Sequence, residues 1–301
     1  MNPRCLFCVF SYNRGRFLEN CIESLEACVP FADIAIFDDA SNDGETVAIL
    51  ERLSQKVPVI QPGSVSSRKV GGLYDNMQSA LDYAQSYDLV CFVQDDTQVV
   101  RSVSPEELAE INGLFESDQR LGFVHPAFLR GINRSRDQKS LNYQSATRTY
   151  RRGQTKQSAG TYFSAILIAK PSRLNEHEWR FSRSEPANDQ QAMGVFEKMA
   201  YLHAPFVMWL PEVPVYRGKR KTLALRLAEQ IRAVGLHPFK TMDDAEFEAF
   251  KRRPSSDLPI AEDFLTISTQ AVRKPWRYHP LQKARFLKML NNVELALRKR
   301  L

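Results

Sequence analysis

The chain has 301 residues, 43% hydrophobic and 25% charged, with a formal net charge of +6. That composition is too apolar for wholesale disorder, and the length suits one large α/β domain with an appendage. No apolar run approaches the roughly 20 residues needed to span a bilayer, residues 162–169 being about the longest. The first residues lack a signal peptide's charged start and cleavage site, which predicts a cytoplasmic chain.

Residues 5–11 form a continuous apolar run, as expected of a strand buried on both faces. Asn13 is placed to cap the helix that follows, whose apolar positions Phe17, Leu18, Cys21, Ile22 and Leu25 recur at helical spacing. A strand over 33–37 ends in Asp38-Asp39-Ala40-Ser41-Asn42-Asp43-Gly44. A helix over 46–53, a short strand over 57–60 and a Gly- and Ser-rich loop come next. A helix over 73–84 then precedes a strand over 88–93, which ends in Gln94-Asp95-Asp96-Thr97. Such alternation predicts a mostly parallel, doubly wound α/β sheet that binds ligands at the carboxyl ends of its strands. The polar clusters after 11, 37 and 93 fall at those ends. Further on, residues 131–158 predict a long loop or β-excursion. Residues 162–169 predict a strand, 188–200 a helix and 206–210 a strand. Helices are expected over 222–234, 243–251 and 281–300.

Charge is unevenly placed along this chain. Residues 217–301 hold 19 Lys/Arg against 9 Asp/Glu, whereas residues 1–216 hold 22 against 26. The asymmetry fits an acidic, metal-binding portion with a basic tail suited to phosphates or anionic lipid, or else a solvated helical surface. Cys5 and Cys8 have the spacing of a metal pair, yet residues three apart on a strand face opposite ways. No second pair completes a zinc site, so these and Cys21, Cys28 and Cys91 are expected to be buried, reduced thiols.

Three acidic clusters need a chemical account: Asp38, Asp39 and Asp43; Asp95 and Asp96; and Asp189 at an expected helix start. Adjacent carboxylates lining a cleft repel one another and call for a cation or several backbone donors. Mg²⁺ or Mn²⁺ suits such oxygen ligands and shares its shell with water and phosphates. For Asp38–Asp43 alone, a turn that caps a helix is the simpler account.

Taken together, the motifs resemble the family 2 glycosyltransferases with the GT-A fold, over roughly residues 6–218. Phe10-Ser11-Tyr12-Asn13-Arg14 is similar to that family's opening strand and YNR turn. Ile36-Phe37-Asp38-Asp39-Ala40-Ser41-Asn42-Asp43-Gly44 is similar to its second strand and acidic loop, and Gly71-Gly72-Leu73-Tyr74-Asp75-Asn76 to a later Gly-Gly segment. Val93-Gln94-Asp95-Asp96-Thr97 sits where the family's DxD metal motif belongs. The resemblance implies a GT-A, Rossmann-like catalytic domain over 1–218 and a basic helical extension over 219–301. It implies that Ser11, Tyr12, Arg14, Asp39, Arg68, Asp95 and Arg217 bind a nucleoside-diphosphate sugar, with Asp39 reading the base, and that Asp96 ligates Mn²⁺ or Mg²⁺. Asp189 is the implied general base and Glu185 its substitute. The acceptor would be a hydroxyl of a glycan or glycolipid, and uracil is the favoured base because an acid like Asp39 commonly reads it in similar enzymes.

This chain departs from the family's pattern at Gln94, where the motif's first acid is expected, and lacks the usual His near 215–220. Those departures leave open a GT-A-like binding protein without activity. A nucleotidyltransferase is a further alternative, although residues 11–16 lack a Gly- and Lys-rich triphosphate loop. Common dinucleotide, P-loop, zincin and hydrolase motifs are absent. No nucleic-acid partner is expected, because an acceptor loop explains Tyr143, Tyr150, Arg151 and Arg152 at least as well. His125 and His203 are expected to be structural. In the last helix Phe286, Leu287, Leu290, Val293, Leu297 and Leu301 form an apolar stripe edged by Lys and Arg. That stripe suits peripheral contact with an anionic membrane, or packing against the catalytic domain or a partner subunit.

Overall fold

The computed structural model describes residues 2–61, 72–153, 160–215, 221–268 and 272–298. Its strands are β1 (Cys5–Ser11), β2 (Asp33–Asp38), β3 (Val59–Ile60), β4 (Leu89–Gln94), β5 (Thr97–Val99), β6 (Val124–His125), β7 (Leu141–Gln144), β8 (Thr149–Arg152), β9 (Leu167–Ala169), β10 (Ala200–Leu202) and β11 (Val207–Trp209). Nine of them form one sheet in the order β3-β2-β1-β4-β9-β6-β10-β8-β7, and β11 pairs with β5. The pairs β3-β2, β2-β1 and β1-β4 are parallel, while β9 runs against both β4 and β6. This is the mostly parallel α/β sheet that the βα alternation implies.

All seven residues of β1 are buried. Its neighbours explain why: Val9 lies in register with Ile36 on one side and Val93 on the other. The crossovers α1 (Gly15–Cys28), α2 (Gly44–Leu53) and α3 (Gly72–Tyr83) cover the two faces of these strands. Phe17, Leu18, Cys21, Ile22, Leu25 and Cys28 form the buried stripe of α1. Beyond β4 come α4 (Pro105–Ser117), α5 (Arg134–Ser140), α6 (Pro171–Glu176) and α7 (Glu185–Val195). The polar stretch after residue 131 is indeed partly a β-excursion, the hairpin of β7 and β8.

Several local expectations are corrected. Asn13 does not cap α1: its φ is +50°, and its carboxamide clasps the loop after β2 instead. Within 162–169 only Leu167–Ala169 is strand, because the N–H groups of 161–163 turn toward Asp189 rather than a neighbouring strand. The helix expected over 188–200 starts earlier, with Ser184 as its cap and Pro186 in its first turn, and ends at Val195. Ala200 is already in β10. All five cysteines are free and buried.

The C-terminal stretch holds α8 (Leu223–Ile231), α9 (Asp244–Lys251), α10 (Ala261–Phe264) and α11 (Arg285–Arg298). Phe239, Met242, Phe250, Ala261, Leu265 and Trp276 pack in one cluster with Phe17, Val100, Phe128, Met208, Leu210 and Val213. Buried Glu262 ties this stretch to the loop after β6: its carboxylate accepts the N–H of Gly131 at 2.7 Å and of Trp276 at 3.1 Å. A Cβ at position 131 would stand 2.6 Å from that carboxylate, so a larger residue there would push the Glu262 side chain aside. Against α8 lies α11, antiparallel, joined through Thr222 to Asn291 and through Arg232 to the carbonyl of Gln282. Among the described residues no helix is long and apolar enough to cross a membrane.

Candidate active site

The three central strands end flush, and backbone hydrogen bonds lock their exits together. The carbonyl of Ser11 accepts the Asp39 N–H, and that of Phe10 accepts the Asp95 N–H, both at 2.9 Å. The acids that follow β2 and β4 are thereby held beside the turn that follows β1, at the carboxyl edge of the sheet.

Arg14 reaches across this edge to both acids of β4. Its Nη1 is 3.2 Å from Asp95 and 2.8 Å from Asp96, and its Nη2 donates to the carbonyl of Pro214. Asp95 is 4% exposed, and its second oxygen accepts the Tyr12 N–H at 3.1 Å. Burial raises the Asp95 carboxyl above its usual range; Arg14 pulls it down, and Asp96 pushes it up again. For Arg14, burial works against the charge, but Asp96 and Asp95 outweigh it and the guanidinium is held more firmly protonated. Both oxygens of Asp95 thus have partners within the protein. Among the described residues, Oδ1 of Asp96 is buried with no hydrogen-bond partner, and the Ser11 hydroxyl is in the same condition.

The loop after β2 divides its acids by task. Asp38 accepts the N–H and the hydroxyl of Ser41, shaping the turn, and Asp43 caps α2 by accepting the Thr46 N–H. Asp39 is half-buried against Gly72, where a Cβ would stand 2.0 Å from its Oδ2. Burial, and then the charges of Asp38 and Asp75, raise its carboxyl above the ordinary range. Of the expected donor residues, Arg68 and Arg217 lie outside the described residues. Ser11, Tyr12, Arg14, Asp39, Asp95 and Asp96 gather at the strand ends.

On the other side of the β4 terminus a cavity of about 300 Å³ opens, lined by Gln94, Arg130, Arg136, Arg152, Glu185 and Trp209 among others. Glu185, in the first turn of α7, is half-buried. Burial raises its carboxyl, Asp189 adds to the effect, and Arg130 and the Ala165 N–H oppose it. Asp189 is placed differently from the helix start expected of it. It lies one turn into α7, fully buried, and its Oδ1 accepts the N–H groups of Thr161, Tyr162 and Phe163 at 3.2, 2.8 and 3.0 Å. Its Oδ2 is buried without a hydrogen-bond partner among the described residues. Asp189 therefore fastens the segment before β9, while Glu185 faces the cavity. His125 and His203 are buried and held neutral, each lowered to about 4, chiefly by burial.

Two features of this wall lay beyond the sequence patterns. Arg152 and Asp137 form a buried ion pair at 2.9 Å, and the Arg130 guanidinium lies over the Trp209 ring at 3.9 Å and over the Tyr278 ring at 4.6 Å. Arg130, Trp209 and Tyr278 come from distant segments joined only by the folded topology. The sole advance hint was the basic and aromatic character of 143–152.

A divalent cation is compatible with the strand-end acids. Among the described residues no group of three or more His, Cys, Asp or Glu could hold a metal ion. Asp96 Oδ1 nevertheless offers one buried, unpaired carboxylate oxygen. Mg²⁺ commonly binds through one or two carboxylates, with water and substrate phosphates completing the shell, and the residues present fit that mode.

The Arg14 cluster yields a stability prediction. Arg14→Met leaves Asp95 and Asp96 without their cation and should cost about 3 kcal/mol at neutral pH. Adding Asp95→Asn should recover part of that loss, as read from urea unfolding of the single and double variants. Equal stability of wild type and Arg14→Met would refute the ion-pair account.

The model of glycosyl transferase family 2 matches residues 7–171, more than half of the chain. No curated protein sequence gives a significant match. Among solved structures, S. aureus TarS 1–349 is 17% identical with a TM-score of 0.44, covering 68% of this chain and 60% of that one. Mannosyltransferase PcManGT from Pyrobaculum calidifontis, in complex with GDP-Man and Mn²⁺, is 14% identical with a TM-score of 0.47, covering 87% and 69%. Glucosyl-3-phosphoglycerate synthase from Mycobacterium tuberculosis, with Mn²⁺ and UDP-glucose, is 15% identical with a TM-score of 0.43, covering 79% and 83%. The chain spans 60% of TarS 1–349 and 42% of the longer TarS structure. The matched residues 7–171 contain both strand-end acid clusters, Arg14 and, but for the first two residues of β1, every strand of the large sheet except β10, and by that match the chain belongs to glycosyl transferase family 2.

Proposed function

We propose that this chain is a metal-dependent, inverting glycosyltransferase that moves a sugar from a nucleoside-diphosphate sugar to an acceptor hydroxyl. One observation carries the proposal: the acids that Arg14 gathers after β4 suit a donor, and Gln94 at the end of the same strand lines a cavity that holds Glu185. Asp39 would read the donor base, with uracil favoured, and Ser11, Tyr12 and Arg14 would line the nucleotide. Asp96 would hold Mn²⁺ or Mg²⁺, which when bound supplies charge neutralisation for a diphosphate leaving group.

The acceptor hydroxyl attacks the anomeric carbon from the cavity side. Its oxygen forms the new bond, the bond to the diphosphate breaks on the opposite side, and configuration inverts. Glu185 takes the proton, and a carboxyl raised by burial is a stronger base than an exposed one. Asp189 keeps the wall in place by gathering three N–H groups. This reverses the order of the two acids expected from the sequence resemblance.

The α8–α11 pair supports the expectation of membrane contact. Leu223, Leu227 and Ile231 of α8 and Phe286, Met289, Leu290, Val293 and Leu297 of α11 are exposed. Arg226, Lys283, Arg285 and Lys288 border these residues in sequence, which suits an anionic bilayer surface.

Calorimetry with UDP-, GDP- and dTDP-sugars plus Mn²⁺ should find one donor that binds and is slowly hydrolysed. Glu185→Gln should retain that binding and lose about 100-fold or more in transfer. Because Glu185 must be ionised to accept a proton, wild-type kcat/KM should fall as pH drops through its raised pKa, above the usual value of about 4.3. That acid limb should vanish in Glu185→Gln. Binding of no donor would refute the proposal, and donor binding without turnover would favour the inactive binding protein. Vesicles rich in phosphatidylglycerol should co-sediment the protein, phosphatidylcholine vesicles should not, and Phe286→Asp with Leu290→Asp should release it. Retention by the doubly charged variant would dismiss the membrane contact.

A further inference from the structure

The cavity beside Glu185 is unusually rich in arginine for a site that holds only a hydroxyl. Arg130, Arg136 and Arg152 all line it, against the carboxylates of Asp137 and Glu185. Asp137 is already committed, since its Oδ1 accepts from Arg136 and from Arg152, each at 2.9 Å. Arg152 is committed as well, bonding to Ser140 at 2.8 Å and to the carbonyl of Gly160. Gln94, also on the wall, adds no charge.

That leaves Arg130. Its guanidinium is flanked by Trp209 and Tyr278, which fix its plane, and it is half-buried. Among the described residues no carboxylate lies within ion-pair distance of it, and none of its N–H groups has a hydrogen-bond acceptor. A cation so desolvated and so firmly aimed, with its fork unpaired, is built for an anion that arrives from outside. Its anchor is rigid, because Glu262 pins the N–H of the next residue, Gly131, at 2.7 Å.

We propose that this cavity binds an acceptor carrying an oxyanion, and that Arg130 is its specificity-determining residue, with the more exposed Arg136 assisting. The inference rests on the transferase reading of Glu185. The acceptor presents its hydroxyl to Glu185 and its phosphate or carboxylate to the Arg130 fork, two points of attachment that fix which hydroxyl is transferred to. A cavity of about 300 Å³ admits a group of sugar or polyol-phosphate size.

The test uses the full chain and three probes: glycerol phosphate, glycerate and glycerol. Calorimetry should show saturable binding of glycerol phosphate or glycerate and none of glycerol, and the stronger of the first two names the anion. Arg130→Met should weaken that binding at least tenfold while nucleotide-sugar binding with Mn²⁺ stays unchanged. Gln94→Glu removes no contact and should also weaken it, because it places a carboxylate among the arginines. Equal binding of glycerol and both anions by wild type, or undiminished anion binding by both variants, would overturn the proposal. So would an Arg130→Met loss confined to the nucleotide sugar, which would assign Arg130 to the donor diphosphate. Anion binding lost in Arg130→Met but with no donor bound by wild type would uphold the anion site and sink the transferase reading alone.

Discussion

Asp95 and Asp96 follow one another at the end of a strand buried in all but its last residue, where mutual repulsion and lost hydration both work against their charges. Arg14 relieves both by bonding to each. Its reach is possible only because β1 and β4 are parallel neighbours in register, so that the turn after one strand stands beside the acids after the other. The same register brings Asp39 to the edge through Ser11. Much of the strand-end edge follows from that one electrostatic requirement, and Asp96 Oδ1 is left buried without a hydrogen-bond partner among the described residues.

The far side of the cleft obeys a different constraint. Residues 161–163 leave regular structure just before β9, and their N–H groups need acceptors. Asp189 supplies one oxygen to all three, which makes a buried carboxylate the organiser of an irregular wall. A second buried acid, Glu262, does comparable work between the loop after β6 and the C-terminal stretch. In both places a buried acid orders backbone, and a neighbour, Glu185 in one case and Arg130 in the other, remains in contact with the cavity.

The strand-end half of the candidate site was legible in the sequence because its signals are local. Apolar runs mark β1, β2 and β4, and each ends in polar residues that a parallel sheet must bring to one edge. The other half was not. Asp189 resembled a helix-starting base, yet the helix begins at Glu185, because Ser184 caps it and Pro186 suits its first turn. The apolar run 162–169 has strand composition throughout, but tertiary hydrogen bonds to Asp189 override it in its first part. Nothing local foretells that Arg130, Trp209 and Tyr278 meet, since their separation along the chain is closed only by the packing around Trp276 and Met208.

The flanked guanidinium depends for its setting on two stretches of coding sequence. Arg130 lies inside residues 7–171, while both rings that fix its plane lie outside. Drift or recombination beyond residue 171 can therefore re-aim that charge, or loosen it, without rewriting a single residue at the ends of β1, β2 or β4. A lineage built on this fold is free to change one side of its cleft while inheriting the other intact.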